Sequence, residues 1–325
     1  MSRPFCELHL HIEGTLEPVT IFELARHQGV TLPYTDEDDL ARRYQFTDLQ
    51  SFLHLYYDNM RVLRGEDDFF TMAWAYFLRA QIAGVAHVEL FVDPQAHSTR
   101  GVAEKTVLRG IQRAMDRARE SLGISSSIVV CVLRDQPVDS ARAMLETILA
   151  SGIEVIGLGL DSAEVGNPPS KFASVFADAR DAGLHVVAHA GEEGPADYVW
   201  QALDILGAER IDHGIRALDD AALVRRLVED QIPLTVCPLS NVRLKVVQNV
   251  DEVPIRRMLD KGLRVTINSD DPAYFGGYLD DNLRSIQTAF SLTDADLDQL
   301  CANSIAASFL ADTEKDRLRQ QLVSR

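Results

Sequence analysis

Near its start the chain reads Glu7-Leu8-His9-Leu10-His11-Ile12-Glu13-Gly14. On a β-strand alternate residues share a face, so His9 and His11 point the same way, about 6.8 Å apart along the chain. Two imidazoles placed like this can converge on one metal ion, with Leu8, Leu10 and Ile12 turned toward whatever packs outside. A lone histidine would more often be structural; the i, i+2 pair at a strand end is what raises metal binding. Three more stretches carry the same kind of chemistry. In His189-Ala190-Gly191-Glu192 the small residues let the chain turn sharply, so His189 can ligate while Glu192 reaches a pocket. Ile211-Asp212-His213-Gly214 supplies another histidine at a strand end. Asn268-Ser269-Asp270-Asp271-Pro272 supplies adjacent carboxylates that leave a strand in different directions and so have different jobs. Taken alone, that aspartate pair would read as a solvated turn.

Histidines joined by a carboxylate suit Zn²⁺, which takes N and O ligands and in catalytic sites keeps one position for water. Such an ion lowers the pKa of a bound water to about 7; iron(II) stays open as the alternative metal. Other metal signatures are missing, both HExxH and an HxE followed by PCxxC. Gly157-Leu158-Gly159 and Gly276-Gly277 lack the context of a phosphate loop and are read as backbone requirements. His27, His54, His87, His97 and His185 have no partner motif and are read as structural. His185 shares strand parity with His189, which would place it behind the ligands inside the fold. Glu89 and Asp93 read as satisfied polar core on the second strand.

Such residues need strands that deliver them to one rim. Short, β-branched apolar runs fall near 5–12, 84–92, 124–133, 153–160, 184–190, 209–213, 232–237 and 263–269, with helical stretches between them. Most are apolar on both faces, the mark of parallel strands wrapped by helices. Eight units predict an α/β fold, a (β/α)8 TIM-type barrel, in a single domain over residues 1–325. The first βα connection, roughly 13–83, is long and aromatic, with Phe52, Tyr56, Tyr57, Phe69, Phe70, Trp74, Tyr76 and Phe77 in it. It predicts a helical cap over the C-terminal ends of the strands, where barrel active sites lie. The stretch from about 290 onward reads as helix without recognisable chemistry.

Composition narrows the partners. With 32 basic and 49 acidic residues in 325, the formal net charge is −17, a field that repels nucleic acid and anionic membranes. No apolar run is long enough for a membrane span. Four dispersed cysteines and no export signal point to a cytoplasmic protein. Oligomeric state is left open, a homo-oligomer included.

Long stretches around these motifs resemble the adenosine/adenine deaminase family of the amidohydrolase superfamily, most closely its adenine-specific branch. They are 9–18, Leu160 to Phe172, His189 to Pro195, Cys237-Pro238-Leu239-Ser240-Asn241 and Asp270 to Tyr278. The resemblance implies hydrolytic deamination of adenine to hypoxanthine and ammonia. It implies zinc on His9, His11, His189 and Asp270, with Glu192 giving a proton to ring N1 and His213 acting on the attacking water. Asp271 would meet purine N7. Glu13 stands where the nucleoside branch carries an aspartate facing ribose, and Glu164 where that branch has a glycine at ring N3; both departures imply a free base. Deamination of N6-substituted adenines is the alternative that would use every one of these residues. Adenosine deamination and a non-catalytic purine-binding protein are the remoter readings.

Overall fold

The computed structural model describes residues 3–324. Eight parallel strands pair in chain order. They are β1 (Phe5–His11), β2 (Val85–Val92), β3 (Ser125–Leu133), β4 (Gly157–Asp161), β5 (His185–Ala190), β6 (Arg210–His213), β7 (Pro233–Val236) and β8 (Arg264–Ile267). The ring closes just beyond β8, where the His11 amide donates to the Asp270 carbonyl at 3.0 Å and the Asp270 amide to the His9 carbonyl at 3.1 Å. The fold is thus the expected (β/α)8 barrel. Strand β4 begins at Gly157, later than its β-branched prefix Ile153 to Ile156 suggests. Only at Gly157 does the chain come opposite both Val129 on β3 and His185 on β5.

Inside the barrel Phe91, Val129, Cys131 and Val187 pack together, and Phe309 caps them from the N-terminal end of the strands. There Arg210 and Glu89 form a fully buried pair, and Arg210 also donates to the carbonyls of Leu8 and Ala307. The guanidinium outweighs the cost of burial and holds the Glu89 carboxyl down at about 2. Reading Glu89 as satisfied core therefore agrees with the structure. His185 does not lie behind the ligands: it opens β5 at the opposite end, stacked 4.0 Å from Phe309 and paired with Glu209. Parity along a strand fixes the face of a side chain and not its depth. The C-terminal helices are not idle either, since Ser304 receives the Cys6 amide and Asn303 donates to the Val265 carbonyl.

The connection from β1 to β2 carries the helices Pro18–Gln28, Glu37–Arg42 and Leu49–Asn59, the last of which lies over the C-terminal rim. The last of these is pinned there: Phe52 meets Phe275 at 4.7 Å, and Asn59 donates to the Tyr274 hydroxyl at 3.2 Å. The helix Glu66–Ala83, placed by its aromatics in the cap, belongs to the outer ring. It packs on the helix Glu104–Leu122 so closely that a Cβ on Gly110 would meet the Glu66 carbonyl at 2.4 Å. The cap is therefore shorter than the connection that contains it. Among the described residues no helix is long and apolar enough to cross a membrane.

Candidate active site

Three strand ends deliver the central cluster. His9 and His11 come from β1, His189 from β5, and Asp270 from the turn after β8. One ligand atom from each of the four lies within 4.8 Å of all the others. His11 Nε2 is 3.1 Å from His189 Nε2, and Asp270 Oδ1 is 3.3 Å from His9 Nε2 and 3.5 Å from His11 Nε2. Ligands about 2.1 Å from one tetrahedral zinc stand roughly 3.4 Å apart, so the set has the spacing of a coordination shell. His9 Nε2 is buried without a hydrogen-bond partner, as an atom reserved for an ion would be.

The surroundings fix the imidazoles. Thr235 Oγ1 donates to Asp212 at 2.8 Å, so the 2.9 Å contact from His9 Nδ1 to that hydroxyl is made by an N–H, and Nε2 keeps its lone pair. Asp212 also lies 3.6 Å from His189 Nδ1, and Asp161 lies 3.6 Å from His11 Nδ1. Neither aspartate declares a role in sequence, although Asp212 and Asp161 both stand inside the quoted stretches. Burial first, and His9 next, bring the His213 imidazole down to about 3, and burial above all lowers His11 to about 4. Both are neutral bases at pH 7.

Three residues at the strand ends hold left-handed backbone without being glycine: Ser162 at φ 68°, His213 at φ 63° and Asp270 at φ 64°. Such geometry costs on the order of 1–3 kcal/mol each and persists where surrounding contacts enforce it. Here it swings side chains off the strand path and over the barrel mouth. His213 Nε2 thereby reaches 3.5 Å from Glu192 Oε2 and 3.9 Å from Asp270 Oδ2. Asp271 is presented next to Gly14, where any Cβ would fall 2.0 Å from its Oδ1. Burial, then the Asp270 charge, push both the Glu192 and the Asp271 carboxyls well above the usual carboxylate range.

A cavity opens onto this cluster. His11, His189, Glu192, His213, Asp270 and Asp271 line its floor. Leu49, Phe52, Leu53, Tyr56 and Tyr57 of the cap form its roof, so these aromatics do cover the site. Asp93 and Asp161 line it as well, which corrects the reading of Asp93 as ordinary polar core.

The structure does not bring Glu13 and Glu164 into this lining. Glu13 is buried beside it, accepting from His97 Nε2 at 2.8 Å and from the Asp93 amide at 3.2 Å. His97, read as structural, is thus the partner that turns Glu13 away. Glu164 faces the loop after β5 and accepts the backbone amides of Gly191, Glu192, Glu193 and Gly194 at 2.6 to 3.1 Å. Its carboxylate is the clamp that holds the loop carrying Glu192. Glu164→Ala would strand these buried amides, each worth about 1–3 kcal/mol when unpaired. We expect a melting temperature lower by at least about 5 °C in calorimetry, with kcat down at least about tenfold and metal content unchanged.

A barrel whose C-terminal rim gathers a metal-spaced His/Asp cluster, a raised carboxyl and a neutral histidine is built as a hydrolase of the amidohydrolase type. The chain belongs to the adenosine deaminase family, whose model matches residues 4–325. It is 54% identical over 319 residues to an adenine deaminase of Streptomyces coelicolor, covering 98% of this chain and 94% of that one. The crystal structure of an adenine deaminase from Arthrobacter aurescens superposes with a TM-score of 0.98 at 51% identity, covering 99% of both chains. An amidohydrolase from Burkhoderia ambifaria, solved with bound zinc, gives a TM-score of 0.88 at 28% identity, covering 99% of this chain and 93% of that one.

Proposed function

We propose that this protein hydrolyses adenine to hypoxanthine and ammonia. The observation that carries the reading is Glu192: a buried, raised carboxyl 3.5 Å from His213 and beside the four-residue cluster. The names of relatives at about half identity support adenine as the substrate. His9, His11, His189 and Asp270 are the residues that would hold one zinc ion. Bound there, zinc would supply a water acidified to a pKa of about 7.

The chain's own groups do the rest. Glu192, whose carboxyl is pushed above the usual range by burial and then by the Asp270 charge, gives its proton to ring N1, which draws electrons from C6. His213 is neutral, accepts a proton from the attacking water and orients it toward C6. The water's oxygen bonds to C6 as its first proton passes to His213. His213 hands that proton to the amino group, the C6–N bond breaks and ammonia leaves. The remaining hydroxyl proton passes to Glu192, leaving C6=O beside N1–H and both side chains as they began. Asp271 holds the ring at N7. The aromatic roof excludes bulk water and strengthens these polar contacts.

We expect adenine to exceed adenosine in kcat/KM by at least about 10³-fold, because a whole sugar must be rejected and not one methylene. Ammonia release from both, at matched low concentrations on one metal-replete preparation, checks it. Comparable rates would move the protein to nucleosides. N6-methyladenine belongs in the same comparison, since room around the leaving group decides between it and adenine.

A further inference from the structure

Two Asp-Pro pairs end strands on either side of β1. Asp271-Pro272 follows β8 and Asp93-Pro94 follows β2. Their backbones nearly coincide, at φ −115°, ψ 75° for Asp271 and φ −107°, ψ 73° for Asp93. Each aspartate precedes a short helix, where an aspartate ordinarily caps the first turn with its side chain. Neither does so here. Both side chains turn into the cavity instead, 4% and 2% exposed, and each leaves Oδ1 without a hydrogen-bond partner. A buried carboxylate oxygen facing a ligand cavity unpaired is costly unless the ligand pairs it. Asp161, its neighbour, also leaves its carboxyl oxygens without a hydrogen-bond partner, but it stands 3.6 Å from His11 Nδ1 and belongs to no such Asp-Pro turn.

Resting on the adenine reading above, we infer that Asp93 is the acceptor for the N9–H of the free base. The five-membered ring of adenine has two nitrogens, N7 and N9, on either side of C8. Asp271 meets the first, and the matching Asp-Pro device across β1 meets the second. Only a free base carries hydrogen at N9. A nucleoside puts a carbon there, which leaves the carboxylate buried, unpaired and sterically opposed. Asp93 is thus a specificity-determining residue, and rejection of nucleosides comes from a hydrogen bond as well as from lack of space. Glu13 contributes indirectly, by accepting the Asp93 backbone amide at 3.2 Å and so fixing the turn.

The test compares adenine, 9-methyladenine and 7-deazaadenine on the metal-replete wild type, Asp93→Ala and Asp271→Ala. Sites built to hydrogen-bond an N–H reject analogues lacking it by up to about 10⁴–10⁵-fold. In the wild type 9-methyladenine should fall at least about 10³-fold below adenine in kcat/KM. Asp93→Ala should shrink that ratio at least about 30-fold while leaving the ratio of 7-deazaadenine to adenine within about threefold. Asp271→Ala should do the reverse. An equal loss for adenine and 9-methyladenine in Asp93→Ala would assign Asp93 to structure alone. Should that variant not fold, inhibition of the wild type by hypoxanthine and 9-methylhypoxanthine decides, and equal inhibition overturns the inference. A wild type that does not turn over adenine at all would instead sink the proposed function itself.

Discussion

Glu192→Gln is expected to lower kcat for adenine by about 10²–10⁴-fold while the protein keeps its fold and its metal. The substitution is nearly isosteric, and the amide can still sit 3.5 Å from His213, so binding geometry survives. What disappears is the transferable proton. Burial first, then Asp270 and Glu164, push the native carboxyl well above the usual carboxylate range, which favours its protonated form. A carboxamide cannot deliver a proton to N1, so C6 stays a poor electrophile. The measurement is single-turnover kinetics together with elemental analysis of the same sample. Retention of more than about a tenth of wild-type kcat would remove Glu192 from the proton-donor role.

Asp270→Ala should have the larger effect, because it strikes cluster and chemistry together. Asp270 is within 3.5 Å of both β1 histidines, and the three histidine nitrogens would lose the only carboxylate in the set. The variant should purify with well under one equivalent of zinc and lose at least about 10⁴-fold in kcat, since an unassisted water has a pKa near 15.7 and not about 7. Added zinc should not restore it. Full activity in a chelator-treated sample without metal would end the metal-assisted mechanism. Glu192→Gln and Asp270→Ala thus separate by metal content: one inactive with its ion, the other without it.

The parts of this site that were readable in sequence are those where identity and strand position coincide. His9 and His11 declare themselves by spacing, and His189, His213 and Asp270 each stand where an apolar strand stops. The structure brings His9, His11, His189 and Asp270 into one cluster and sets His11, His189, His213 and Asp270 on one cavity. Glu164 shows the opposite case. Its partners lie 27 to 30 residues further on and are backbone amides, which carry no sequence signal. Asp93 reads as polar core in sequence because a polar residue on a barrel strand is usually satisfied locally, and its orphan oxygen exists only once the helix after it is left uncapped. The ring helix Glu66–Ala83 reads as cap in sequence because aromatic faces look alike whether they meet a ligand or another helix. Depth along the barrel axis, which separates His185 from His189, has no imprint in periodicity at all.

Closure of the barrel between residues 9 and 270 has a consequence for how the molecule comes to exist. During synthesis at about 5–20 residues per second, β1 leaves the ribosome roughly 13–52 s before the turn that completes its outer edge. Until then one side of β1 is an unpaired parallel edge, and its two histidines have no carboxylate to share an ion with. The Phe309 plug arrives later still. Competence to bind metal is therefore acquired only once β8 and the turn behind it have been made, and a nascent chain stalled before β8 presents the cell with an open sheet and no active site.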